Sequence, residues 1–262
     1  MCLIAFAWQQ HASYPLVLAA NRDEFYARPT RAARWWPDSD ILAGQDEVGG
    51  GTWLGLSRDG RLAALTNFRE RQSPDTCDQR PSRGALVHTC LSSSSDGALP
   101  DELRARSAEF AGFNLLSGRV HGPSAHLGFV SNRDTDRAAL EPGVYGLSNG
   151  VLNAPWPKTC ALTQALTDTL AGSKNTLVDT LFDALAQRHQ ARDQTLPDTG
   201  ISLELERRLS AAFIHSPGYG TRCSTLVLIR DDGLATFIER AFDEHGTQGA
   251  DKTFHWRIAA NP

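Results

Sequence analysis

The feature that most constrains this fold is a pair of long apolar segments, each broken by Asp-Gly. WLGLSRDGRLAALTNF (Trp53–Phe68) turns at Asp59-Gly60, and CSTLVLIRDDGLATFIER (Cys223–Arg240) turns at Asp232-Gly233. Asp-Gly between apolar runs is a strong hairpin signal, because Gly takes the positive φ that a tight turn demands. FNLLSGR (Phe113–Arg119) and AHLGFVS (Ala125–Ser131) predict another strand pair, and FHWRI predicts a last strand. Near the start, Cys2–Trp8 and Tyr14–Ala20 predict a hairpin joined by the polar QQHAS. The near-continuous LVLAA suits a strand covered on both faces.

Helical spacing appears in the middle of the chain. Leu162, Leu166 and Leu170 recur at i, i+4 and i+8; so do Leu177, Leu181 and Leu185, and Leu205, Leu209 and Phe213. Ser82 is a candidate cap for a helix over Gly84–Leu91, and Pro100-Asp101-Glu102 resembles the first turn of another. Strands and helices in blocks, with tight hairpins, predict an α+β fold rather than a doubly wound sheet. No repeat of 20 to 50 residues is present. SSSSDG (Ser92–Gly97) reads as a surface loop, and the polar stretch Arg188–Gly200 as a loop or lid. Neither divides the chain, so residues 1–262 are expected to form a single domain.

Composition excludes several classes. Lys and Arg number 26 against 30 Asp and Glu, a formal net charge of -4, which argues against a nucleic-acid binder with a broad cationic face. A hydrophobic content of 41% argues against a disordered chain. No run approaches the roughly 20 apolar residues of a membrane span. The N-terminus has no basic region and only a short apolar stretch before Gln9 and Gln10, so no signal peptide is expected. Five Cys, odd and sparse, argue against a disulfide framework and for a reducing, cytoplasmic setting.

Several motifs fail on inspection. Gly49-Gly50-Gly51-Thr52 lacks the Lys and spacing of a phosphate loop and precedes a hairpin, so a permissive turn is expected. No HExxH, zinc spacing or GxSxG is present, and His121 and His126 make a poor metal pair. No metal or cofactor is expected. Cys77, Cys90 and Cys160 stand in unrelated contexts, with Cys160 on a helix stripe and expected in the core.

Cys2 is different. Its small side chain predicts removal of Met1 by methionine aminopeptidase, which leaves a thiol and an α-amine on one residue. With reference pKa values of about 8.5 and about 7.7–8.0, the amine can take the thiol's proton near neutral pH. A hydrophobic Cys in a first strand is the alternative. Asn21-Arg22-Asp23-Glu24 follows directly on LVLAA. If the first two strands pair, Arg22 and Asp23 return to the neighbourhood of Cys2. A guanidinium there favours thiolate; a fall in pKa from about 8.5 to about 7 raises the thiolate fraction at neutral pH from roughly 3% to 50%. Asp23 is placed to orient the amine.

Six segments in matching order, MCLIAF, NRDEFYARPT, GGGTWLGL, LTNFRE, YGLSNG and GTRCSTLVL, resemble the NRDE family, also called Transport and Golgi organisation 2 homologues. The resemblance covers most of the chain. That family is similar in turn to the cysteine branch of the N-terminal-nucleophile (Ntn) hydrolases, which includes penicillin V acylase and bile-salt hydrolase. The resemblance implies a four-layer αββα sandwich with two mainly antiparallel sheets. It also implies Cys2 as nucleophile, with Arg22 and Asp23 beside it, although that branch usually separates the two. Asn67 corresponds to an oxyanion donor through its backbone N–H and Asn149 to one through its side-chain amide, with Asn153 as rival. Arg222 corresponds to a late Arg near the nucleophile, and Glu24 has no counterpart.

The implied activity is hydrolysis of a non-peptide amide or thioester. Phe25, Trp35, Trp36 and Trp53 are candidates to line an acyl pocket, with core packing the alternative for Trp53. The implied partner is a small acyl or amide substrate. The rival class is a carrier of a hydrophobic ligand such as haem, lipid or acyl-CoA, since the family is linked to haem trafficking and lipid metabolism. No CxxCH is present, and nothing singles out His11, His88 or Met1 as an iron ligand.

Overall fold

A computed structural model describes residues 2–37, 39–70, 80–93, 99, 101–135, 139–172 and 176–259. Met1, Cys77, Pro100 and most of the SSSSDG loop lie outside the described residues. The chain opens with six strands: β1 (Cys2–His11), β2 (Tyr14–Phe25), β3 (Thr30–Trp35), β4 (Ile41–Asp46), β5 (Leu54–Ser57) and β6 (Arg61–Asn67). Helices α1 (Gly84–Ser92) and α2 (Asp101–Ala105) lead to β7 (Phe113–Arg119), β8 (His126–Ser131) and β9 (Gly143–Leu147). Then come α3 (Pro157–Ala171), α4 (Leu177–Leu185) and α5 (Leu203–Leu209). The last strands are β10 (His215–Ser216), β11 (Tyr219–Ile229), β12 (Leu234–Ala241) and β13 (Lys252–Arg257).

Two antiparallel sheets result. The first has the order β13-β12-β11-β2-β1-β9 with β10 against β11, and the second runs β3-β4-β5-β6-β7-β8. Side-chain alternation divides β1 between two cores. Ile4, Phe6 and Trp8 enter the layer between the sheets, while Leu3, Ala5 and Ala7 face α3 and α4. A third core packs α1 on the outer face of the second sheet. The layers are therefore helix, sheet, sheet, helix, and the α+β, αββα expectation holds. Small residues on the helix side set the packing distance. A Cβ on Gly146 of β9 would lie 2.3 Å from Thr159 Cγ2, so only Gly lets α3 seat there. No helix among the described residues is long and apolar enough to cross a membrane.

The Asp-Gly hairpins form as expected, with Gly60 at φ 86° and Gly233 at φ 80°. Other expectations need correction. NRDEF does not follow a strand; it is the end of β2, paired with β11 throughout and with β1 as far as Arg22. Polar residues tolerate that burial because Thr221 and Ser224 of β11 supply partners. β3, β4 and β9 are strands that the sequence patterns do not mark, because TRAARW and GVYGL carry weak alternation. The third leucine stripe is not one helix: α5 ends at Leu209, Phe213 is buried beyond it, and Leu205 is exposed. Ser82 does not cap α1; Arg83 holds that position without a side-chain bond. Cys160 is exposed rather than core, because it lies off the face that α3 turns to the sheet.

Candidate active site

The β1–β2 register places Cys2 directly opposite Arg22. Both side chains fall on the inter-sheet face, at the end of the sandwich where the sheets part. There they line a cavity of about 430 Å³ with Glu24, Trp53, Leu65 and Asn67. Arg22 is 5% exposed, lies 4.4 Å above the Trp53 ring and donates to Thr30 Oγ1 at 3.1 Å. Glu24 stands between two cations, 3.8 Å from Arg22 and 3.9 Å from Arg28, and Arg28 is bidentate on Asp46 at 3.0 and 2.7 Å. Glu24 is thus a link in a charged cavity wall. The glycine turn forms the rim: Gly50 has φ 71°, and a Cβ on Gly51 would meet the Gly84 backbone at 2.5 Å.

Adjacent residues of a strand point to opposite faces. Asp23 therefore lies on the helix side of the sheet, 1% exposed, and accepts from Thr221 Oγ1 at 2.7 Å. Behind it are Lys158 of α3, 4% exposed, and the buried Arg69–Glu206 ion pair at 2.7 Å. Burial pushes the Asp23 carboxyl up, against the opposing pull of Lys158 and Thr221. Burial also pushes the Cys2 thiol up, and Arg22 opposes this only in part. The expected thiolate from Arg22 alone is therefore corrected: desolvation outweighs the guanidinium.

Asn149 follows β9, and Ser148 beside it donates to Cys2 O at 3.1 Å. Asn149 is fully buried; its Nδ2 donates one proton to Asn67 O at 2.8 Å, and its own carbonyl accepts from Arg69 N at 2.7 Å. This joins the start of β1 to the end of β6, across the two sheets. The rival Asn153 instead closes a turn, at φ 60° with its Oδ1 on Gly146 N.

Five predicted residues do not line the cavity, the fully buried Asn149 and four others. Arg222 is the extra residue of a bulge between Thr221 and Cys223, and Nη1 donates to the carbonyls of Phe25, Tyr26 and Arg28. It closes the turn after β2. Phe25 is 61% exposed and rests edge-on against Tyr219. Trp35 packs edge-on against Trp256 beneath Arg58. Trp36 stacks on His88 of α1. Trp35 ends the edge strand β3 and Trp36 follows it, so the two rings go to opposite faces. Trp53, assigned above to the core as an alternative, is the aromatic that lines the cavity. Sequence reasoning missed Ser148, Lys158 and Thr221, since each acquires its partner across a long stretch of chain; only the polar character of a strand end marks Thr221.

The sequence profile of the Transport and Golgi organisation 2 family matches residues 1–244. The chain belongs to that family. The human Transport and Golgi organization protein 2 homolog is 36% identical over 261 residues, covering 92% of this chain and 93% of the relative. In three dimensions, this Transport and Golgi organisation 2 member is similar to a Caenorhabditis elegans N-acylethanolamine-hydrolyzing acid amidase ortholog, at TM-score 0.47 and 10% identity, covering 87% of this chain and 92% of that one. It is also similar to penicillin V acylase from Agrobacterium tumefaciens, at TM-score 0.47 and 13% identity, covering 90% and 82%.

Proposed function

We propose that the protein is an Ntn-type cysteine hydrolase of a non-peptide amide or thioester, with Cys2 as nucleophile after removal of Met1. The observation that carries this reading is the register pair Cys2–Arg22 on the wall of a cavity between the sheets. A buried thiol held above its usual range needs a base within reach. The α-amine of the same residue is such a base. It accepts the Sγ proton, and the thiolate attacks the acyl carbon. The oxyanion is met by the Asn67 backbone N–H and by the second Nδ2 proton of Asn149, whose first proton is already on Asn67 O. Collapse expels the amine or thiol with the proton that the α-amine took, leaving S-acyl Cys2, which water hydrolyses. Arg222 acts at a distance here, by holding the turn after β2.

The cavity walls favour a substrate with polar or charged groups over a wholly apolar cargo, because Arg22, Glu24, Arg28 and Asp46 face it beside Trp53 and Leu65. The test is intact-mass measurement after incubation with N-acyl amides, N-acyl amino acids and acyl thioesters. A chain without Met1 that gains an acyl group on Cys2, with no gain and no turnover in Cys2→Ala, is the expected result. A retained Met1, or turnover unchanged in Cys2→Ala, refutes the mechanism and favours the carrier.

A further inference from the structure

Among the buried cations that the mechanism does not use, Lys158 differs from Arg69 and Arg119, which are held by hydrogen bonds to Glu206 and to Asp59 O. Lys158 stands in the first turn of α3 at 4% exposure, and its Nζ has no hydrogen-bond partner among the described residues. A buried ammonium is costly unless a neighbouring charge offsets it. The charged and titratable groups whose charge reaches Lys158 are Asp23 from β2, Arg69 from beyond β6, Glu206 from α5 and, from the other face of the sheet, Cys2 of β1. Glu206 is already paired with Arg69. Asp23 is the strongest charge acting on Lys158, and Lys158 the strongest acting on Asp23. Burial nonetheless draws the Lys158 ammonium down to about 8.

The strand register makes this pair relevant to Cys2. Leu3 lies opposite Asn21 and Cys2 opposite Arg22, so the amino end of β1 runs toward Asp23. A free amine on Cys2 emerges at the end of the sheet, beside Asp23. One buried carboxylate then faces two amines. An α-amine paired alone with that carboxylate would keep its proton and fail as a base. Lys158, whose other acidic neighbour Glu206 is already held by Arg69, offers that carboxylate a second cation and weakens its hold on the α-amine proton.

We propose that Lys158 is a positioning residue that acts through Asp23: it supplies the counter-charge of that carboxylate and so leaves the Cys2 amine neutral, ready to accept the Sγ proton. The inference rests on the nucleophile reading above. The proton passes from Sγ to the amine nitrogen, and Asp23 and Lys158 exchange none.

The test uses full-length protein labelled with [15N]cysteine, its N-terminus first checked by intact mass. The Cys2 amine nitrogen is titrated by NMR in the wild type, Lys158→Met and Lys158→Arg. Lys158→Met is expected to raise the midpoint by about one unit or more, and Lys158→Arg to leave it within a few tenths. The neutral-amine fraction, and with it the rate of Cys2 acylation, then falls about tenfold at neutral pH and recovers at higher pH. A merely structural lysine would lower the rate at every pH without moving the midpoint. An unmoved midpoint in folded Lys158→Met overturns the proposal. Should that variant not fold, the Asp23→Asn, Lys158→Met double variant removes both charges. Its midpoint is expected within half a unit of wild type, and one a full unit higher overturns the proposal. A retained Met1 overturns both readings. A shifted midpoint with no acylation of Cys2 by any probe overturns the hydrolase and upholds the Asp23–Lys158 pairing.

Discussion

Asn21 should be a structural anchor rather than part of the chemistry, and its removal should cost several kcal/mol. Its Nδ2 donates to Leu185 O at 2.9 Å and Ala212 O at 2.8 Å, and its Oδ1 accepts from Ser224 Oγ at 2.6 Å. The side chain thus ties β2 to the last turn of α4, to the segment after α5 and to β11. It is 1% exposed, so water cannot replace these bonds. Asn21→Ala strands two carbonyls and one hydroxyl, at about 1–3 kcal/mol for each buried group left unsatisfied. Partial relaxation brings the expected loss to about 3–5 kcal/mol. With a urea m-value of about 2–3 kcal/mol/M, the unfolding midpoint should fall by about 1–2 M. Ser224→Ala removes one bond and should cost about 1 kcal/mol. Asn21 points to the helix side while Cys2 points between the sheets, so Cys2 alkylation by iodoacetamide should keep its rate below the transition. A midpoint shift under about 0.3 M in Asn21→Ala, or a loss of Cys2 reactivity in the still-folded variant, would refute the reasoning.

Three further outcomes are expected. Asn149→Ala should slow Cys2 acylation by about 10²–10³ while intact-mass analysis still shows Met1 removed, since the variant lacks an oxyanion donor; single-turnover kinetics checks this. Glu206→Gln leaves Arg69 buried without its counter-charge and should cost about 3–5 kcal/mol. Glu206→Leu should in addition release the Arg188–Gly200 loop, because Glu206 Oε1 accepts from Thr199 N at 3.0 Å and from its Oγ1 at 2.5 Å and leucine has no acceptor; hydrogen exchange at the Thr199 amide should quicken. Burial pushes the Asp46 carboxyl up, but its bidentate bond to Arg28 outweighs this and holds it below the usual range. A carboxyl with a depressed folded value stabilises the protein above about pH 4 and loses that contribution as pH falls through the folded value. Arg28→Met should therefore flatten the acid decline of the urea midpoint between pH 5 and 3, approximately the window set by the carboxylate reference value.

Local signals settled much of the fold from sequence. Asp-Gly turns and the leucine spacings of α3 and α4 are properties of neighbours in the chain, and they led to antiparallel sheets and helical layers. One positional rule was also legible. Consecutive residues of a strand face opposite sides, so Arg22 and Asp23 cannot both send their side chains to the face that carries the Cys2 thiol, and the rings of Trp35 and Trp36 part likewise. Tertiary structure decided the rest. Only the β1–β2 register sets Cys2 against Arg22, only the bulge in β11 turns Arg222 toward the carbonyls beyond β2, and only the seating of α3 brings Lys158 behind Asp23. Ser148 reaches Cys2 across 146 positions, and Ser224 reaches Asn21 across 203. Such partners cannot be read from spacing, because their energies depend on desolvation and on which strands become neighbours. The sequence alone determined that residue 2 is a cysteine and that strands could bring Arg22 back to it. The folded molecule decided that burial outweighs Arg22 at the thiol, so the proposed reaction depends on the Cys2 amine that the sequence already offered, and not on Arg22 alone.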